Sequence, residues 1–175
     1  TSSPYDMACE VAVGRAPVSN TAELEVFVRK SIQLQDLAVG DPLVWSALNF
    51  GEKLDSSTYA SSSLKMLVGG GTGGSGIATQ GYPSQAQFST LYETSSKLYA
   101  ATDVTSTLSQ NRFYTVNHLG HCNTDYCLRL KLPELPEVKS PFPYIGFTQG
   151  CFPGNIRKEN WATRMVLEPQ GGAGA

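Results

Sequence analysis

The sequence predicts an all-β fold: a compact antiparallel barrel or sandwich of short strands with long surface loops. Three observations predict it. Only 16% of the 175 residues are charged while 41% are hydrophobic, a balance poor in charge for a soluble domain. Many short apolar segments are separated by Gly, Pro, Asn and Ser, the punctuation of a sandwich or barrel. No segment offers a long amphipathic helix.

The elements follow in order. Leu24, Val26, Val28, Ile32 and Leu34 alternate with Glu25, Arg29, Gln33 and Gln35. That period of two predicts a half-buried strand, with an Asn20/Glu23 capping box as the helical alternative. Leu43–Leu48 and Leu64–Val68 predict further strands, and Phe88–Tyr92 and Lys97–Ala101 short ones. Arg112–Val116 and Tyr126–Leu132 come next, and Tyr144–Phe147 and Arg164–Leu167 complete the set. The glycine run Gly69–Gly76 lacks side chains to pack and predicts a mobile surface loop. The stretch from Pro133 to Pro143 predicts extended, polyproline-like chain over the surface.

Length fits one domain over residues 1–175. The ends at 1–6 and 169–175 resemble flexible linkers, as if the chain were a fragment of a longer protein. The net charge of -2 gives no nucleic-acid footprint. No apolar run is long enough to span a bilayer, so membrane insertion is not expected.

Asp41–Ser63, DPLVWSALNFGEKLDSSTYASSS, carries a resemblance. A Trp-Leu strand, an acidic turn and an Asp-x-Ser-Thr-Tyr-x-Ser-Ser run resemble the opening of the protruding capsid domain of hepatitis E virus, to which the astrovirus spike is structurally related. The resemblance implies a capsid spike on the virion surface that attaches to a host-cell receptor and presents epitopes to neutralising antibodies. It further implies a homodimer, no enzymatic activity and no cofactor.

Candidate chemistry elsewhere is sparse. Gly69, Gly71 and Gly74 match a dinucleotide-loop spacing, but no helix can follow them before Pro83. His118, His121, Cys122 and Cys127 are zinc-ligand types in zinc-ligand number. Adjacent His121 and Cys122 would point to opposite faces of a strand, so a Cys122–Cys127 disulfide closing a hairpin loop is favoured over zinc, free thiols stay open as the alternative, and no metal is assigned. Cys9 and Cys151 would form a second bridge. Tyr82, Phe142 and Trp161 fall in predicted loops and are candidate partner-contact aromatics.

Two further functions compete with the spike. One is a secreted carbohydrate-binding β-sandwich. The other is a small cysteine or serine hydrolase with Cys151 in Gln149-Gly150-Cys151-Phe152 as nucleophile. Its base would be His118 or His121, oriented by Asp103 or Asp125.

Overall fold

The computed structural model describes residues 15–38, 40–68, 71–72, 78–79, 81–155 and 159–174. The chain folds as an α/β protein around a parallel sheet, and the all-β expectation is overturned. Helix α1 spans Thr21–Gln35, where a strand was expected. Leu24, Val28 and Ile32 recur every four residues as well as every second one, so the same apolar pattern serves both periods. The cap decides: Asn20 Oδ1 accepts from the Glu23 amide at 3.0 Å, and Glu23 Oε2 accepts from the Ser19 amide at 2.7 Å. No Gly or Pro interrupts the following turns.

A 3-10 turn over Pro42–Trp45 leads into β1, Ser46–Gly51. Helix α2, Ser61–Leu64, continues as a 3-10 turn to Leu67, replacing the strand expected at Leu64–Val68. Strands β2, Gly71–Thr72, and β3, Ala78–Thr79, pair as a short antiparallel ribbon. The loop expected at Gly69–Gly76 otherwise lies outside the described residues. Strand β4 spans Gln87–Tyr92. Helix α3 spans Ala101–Gln110, and Asp103 Oδ2 caps it by accepting from the Ala100 amide at 2.8 Å. Strand β5 spans Thr115–Leu119. The two-residue strands β6, Tyr126–Cys127, and β7, Leu130–Lys131, form a second antiparallel ribbon. Strand β8 spans Ile145–Thr148. Helix α4, Trp161–Leu167, takes the place of the strand expected at Arg164–Leu167.

The main sheet has the order β4-β1-β5-β8, and every pairing in it is parallel. From β1 the chain moves outward to β4, then crosses back past β1 to β5 and on to β8. The direction of winding therefore switches at β1. Parallel sheets are covered on both faces, so their strands are buried throughout rather than alternating. Ala47–Phe50 are all fully buried. Even Asn49 and Asn117 are buried, because Asn117 Nδ2 donates to Asn49 Oδ1 at 2.9 Å. The core joins Leu48, Phe50 and Val116 to Val104 and Leu108 of α3 and to Trp161 and Met165 of α4.

Two expectations for irregular chain are corrected. Leu132–Glu137 form a 3-10 turn, and Leu135 and Val138 insert into the core; the surface polyproline stretch is not there. The end expected to be flexible is packed down over 169–174. Ala173 forms a parallel bridge with Tyr144, the Gly174 amide donates to the Tyr144 carbonyl at 2.6 Å, and Gly171–Gly174 are buried.

Candidate active site

All four parallel strands end on one edge, and each end delivers a polar group. Glu93 follows β4, Glu52 follows β1, and His118 and His121 close β5. Thr148 and Cys151 close β8. Ligands of open α/β sheets bind at this carboxyl edge, beside the switch in winding. Bonds beyond the strands hold the departing loops. Glu93 N donates to Gly51 O at 2.8 Å, Glu52 N to Leu119 O at 3.0 Å, and Gln149 N to His118 O at 3.0 Å.

Glu52 organises the edge. It is completely buried. Its Oε1 lies 3.1 Å from His118 Nε2, and its Oε2 accepts from the His121 backbone amide at 3.2 Å. Arg129 approaches Oε2 at 3.6 Å and forks onto both oxygens of buried Glu93, at 2.8 Å and 2.9 Å. Burial by itself raises the Glu52 pKa. The hydrogen bond from His118, the His121 amide and Arg129 outweigh it and hold the carboxyl below its ordinary range. Gly120 is required by space, since a Cβ there would overlap the Glu52 carboxylate and His118 Nε2.

An ionised Glu52 only accepts, so His118 carries its proton on Nε2. Its Nδ1 then offers a lone pair to the Thr148 hydroxyl at 2.8 Å. The same nitrogen faces Cys122 Sγ at 3.8 Å and Cys127 Sγ at 3.6 Å. The two sulfurs are joined as a disulfide across five positions of sequence. His118 is 1% exposed and fully engaged, so it has no open side for a substrate.

His121 and Cys151 are different: both are exposed. Strands β5 and β8 pair in a register that sets His118 opposite Thr148. Three residues beyond each in sequence lie His121 and Cys151, on the loops that leave these adjacent strands. Their loops touch, because a Cβ at Gly150 would overlap Cys122 Sγ and would lie 3.3 Å from Cys122 N. Phe152, directly after Cys151, has φ 57° and is 75% exposed. A bulky residue in the left-handed region is an outlier of the kind that clusters at working sites.

This arrangement defines an α/β protein with an exposed free thiol and an exposed imidazole on neighbouring loops at the carboxyl edge of a parallel sheet. The chain belongs to peptidase family C25, whose family model matches residues 2–175. The crystal structure of the Arg-specific cysteine proteinase gingipain R (RGPB) matches with a TM-score of 0.61 at 13% identity. The match covers 88% of this chain and 36% of that one, so the chain spans about a third of that proteinase's length. At such identity the likeness supports the fold alone. Comparison with curated proteins gives no match.

Family membership overturns the capsid-spike function, the virion-surface location and the non-enzymatic expectation. Asp41–Ser63 is a 3-10 turn, one parallel strand and the start of α2; a strand and turn of that length do not specify a topology. The expected receptor, antibodies and homodimer lose the resemblance they were drawn from.

The sequence-derived site residues fall in three places. Cys122 and Cys127 sit behind the exposed pair, against His118. Trp161 is buried, and its Nε1 donates to Leu130 O at 3.0 Å. Tyr82 and Phe142 are half-buried. The Tyr82 hydroxyl meets Thr115 Oγ1 at 3.1 Å, and Phe142 lies under the Arg112 guanidinium. Cys151 holds a free thiol, which removes the Cys9–Cys151 bridge; Cys9 itself lies outside the described residues. Asp103 caps α3 and Asp125 is exposed, so neither matches the orienting role considered for it. Sequence reasoning missed Glu52 and Glu93. The available signal was position: each is a carboxylate directly after an apolar strand.

Proposed function

We propose that this chain carries the catalytic centre of a cysteine peptidase, with Cys151 as nucleophile and His121 as general base. The observation that carries the reading is that these two exposed side chains lie on the loops directly after the paired strands β5 and β8, in a chain of a peptidase family. Imidazole takes the proton of the Cys151 thiol, and the sulfur electron pair attacks the scissile carbonyl carbon. The carbonyl π pair moves to oxygen, where N–H donors would stabilise the oxyanion. Collapse breaks the C–N bond, and the imidazolium proton leaves with the amine. Water then adds to the thioester, and the thiol returns.

Glu52 and Arg129 are positioning residues here. Glu52 holds the His121 backbone, and Arg129 compensates the buried carboxylates. Arginine specificity, stated for gingipain R, is not carried over. An arginine side chain would seek an unpaired buried carboxylate, and both Glu52 and Glu93 are occupied by Arg129.

The test is turnover of a mixed fluorogenic peptide library. Cys151→Ala should remove at least about 10³-fold of the rate, and His121→Ala roughly 10²–10⁴-fold, with unchanged circular dichroism. Full turnover by Cys151→Ala would refute the assignment.

A further inference from the structure

We propose that reducing the Cys122–Cys127 disulfide opens a buried zinc site, formed by both thiolates and His118 Nδ1, directly behind the exposed Cys151–His121 pair. The proposal does not depend on peptidase activity.

The geometry is nearly that of a tetrahedral site already. Zinc bonds of about 2.3 Å to sulfur and about 2.0 Å to nitrogen place neighbouring ligand atoms roughly 3.5–3.8 Å apart. His118 Nδ1 lies 3.8 Å from Cys122 Sγ and 3.6 Å from Cys127 Sγ. Two edges of the ligand triangle are therefore at the required length. The third, between the sulfurs, is closed by their bond and opens when that bond is cut. All three ligand atoms lie within 4.8 Å of one another.

The surroundings suit a metal. His118 Nε2 faces the Glu52 carboxylate at 3.1 Å, the carboxylate–histidine pairing that fixes an imidazole for metal binding through its other nitrogen. Cys127 is fully buried, and Cys122 and His118 nearly so, so the ligands come from fixed positions on β5, β6 and the loop between them. Thr148 Oγ1, 3.6 Å from each sulfur, marks the fourth corner, where the hydroxyl or a water would complete the set. His121 is outside this cluster, which resolves the difficulty of adjacent ligands: Cys122 points inward and His121 outward.

The reaction balances with a dithiol reductant. The dithiol gives two electrons and two protons, the S–S bond breaks to two thiols, and the reductant closes to its own disulfide. Zinc then displaces the two thiol protons and the Thr148 hydrogen bond at Nδ1.

The test uses the 175-residue chain carrying Cys9→Ala, His121→Ala and Cys151→Ala, which removes the other thiols and the exposed imidazole. Titration with cobalt(II) should give one tight equivalent only after reduction, with thiolate-to-cobalt charge-transfer absorption that zinc abolishes. Glu52→Gln should weaken binding by roughly 10–100-fold. Should the triple variant fold poorly, the wild-type chain provides a second measurement. After reduction, zinc should slow alkylation of Cys122 and Cys127, resolved by mass spectrometry, and leave Cys151 unprotected. Equal cobalt uptake by oxidised protein overturns the proposal. So does uptake unaffected by His118→Ala, unprotected Cys122 and Cys127, or unfolding of the wild-type chain on reduction.

Discussion

The two edges of the parallel sheet are built from different chemistry. At the amino edge the strands are pinned by neutral groups. The Ser46 hydroxyl donates to Leu43 O at 2.7 Å and accepts from Tyr114 N at 3.1 Å, and Tyr82 meets Thr115. At the carboxyl edge the same strands end in Glu93, Glu52, His118, His121 and Cys151, with Arg129 bound among the carboxylates. Neutral bonds position strands at little electrostatic risk. Buried charges cost several kcal/mol each unless every one is matched. The asymmetry places chemistry at one edge and construction at the other.

The largest stability difference between the edges should come from Arg129. Replacing it by Leu leaves Glu52 and Glu93 buried without their cation, and breaking buried pairs costs about 3–5 kcal/mol. Arg129 is 29% exposed, so a loss of about 3 kcal/mol is expected by urea denaturation. A loss under about 0.5 kcal/mol would mean that the network is solvated and does not hold the edge.

Gly120→Ala should come next. Its Cβ collides with Glu52 and His118, and overpacking costs about 1–3 kcal/mol. Because the shift falls on the His121 loop, turnover should drop further than stability alone explains. Stability and turnover changing in strict proportion would break that link. At the amino edge, Ser46→Ala removes ordinary neutral hydrogen bonds and should cost only about 1 kcal/mol, with kcat unchanged.

A further effect, one that appears only as pH changes, sharpens the comparison away from both edges. Lys30 is buried beneath α4, with Nζ donating to Val166 O at 2.7 Å and Ala173 O at 3.1 Å. Burial, then the neighbouring Arg29 charge, lowers its pKa from 10.5 to about 7, against a smaller opposing pull from Glu168. Between those values the unfolded chain holds the proton and the folded chain does not. This group's contribution to stability therefore rises with pH through that window, and its full cost is present below about pH 7. Denaturation midpoints of wild type minus Lys30→Met should climb between about pH 7 and pH 9; a flat difference would show a charged, paired lysine instead.

Parts of this were legible in the sequence. Phe88–Tyr92 and Tyr144–Phe147 were found as strands because short apolar runs between turn residues are a local signal. Their parallel pairing was not, because it joins residues far apart in sequence, such as Phe50 with Leu91 and His118. Helix α1 was misread because Leu24, Val26, Val28, Ile32 and Leu34 satisfy two periods, and only the Asn20 cap separated them. Helix α4 is too short for its periodicity to show. Cys151 as nucleophile, with His118 or His121 as base, is outweighed in the sequence because accidental thiol–imidazole pairs are common in any chain. What raised them above accident is register, which no single segment displays. Glu52 escaped notice because buried carboxylates are exceptional and its partners arrive from β5 and Arg129.

The central claim is that His121 activates Cys151, and residue-resolved alkylation tests it most directly. The chain is treated with iodoacetamide near neutral pH, and each cysteine is followed by mass spectrometry. Rapid modification is expected at Cys151, slowed about tenfold or more in His121→Ala and unaffected by Ser46→Ala. Modification of Cys151 at the same rate with and without the His121 imidazole would contradict it.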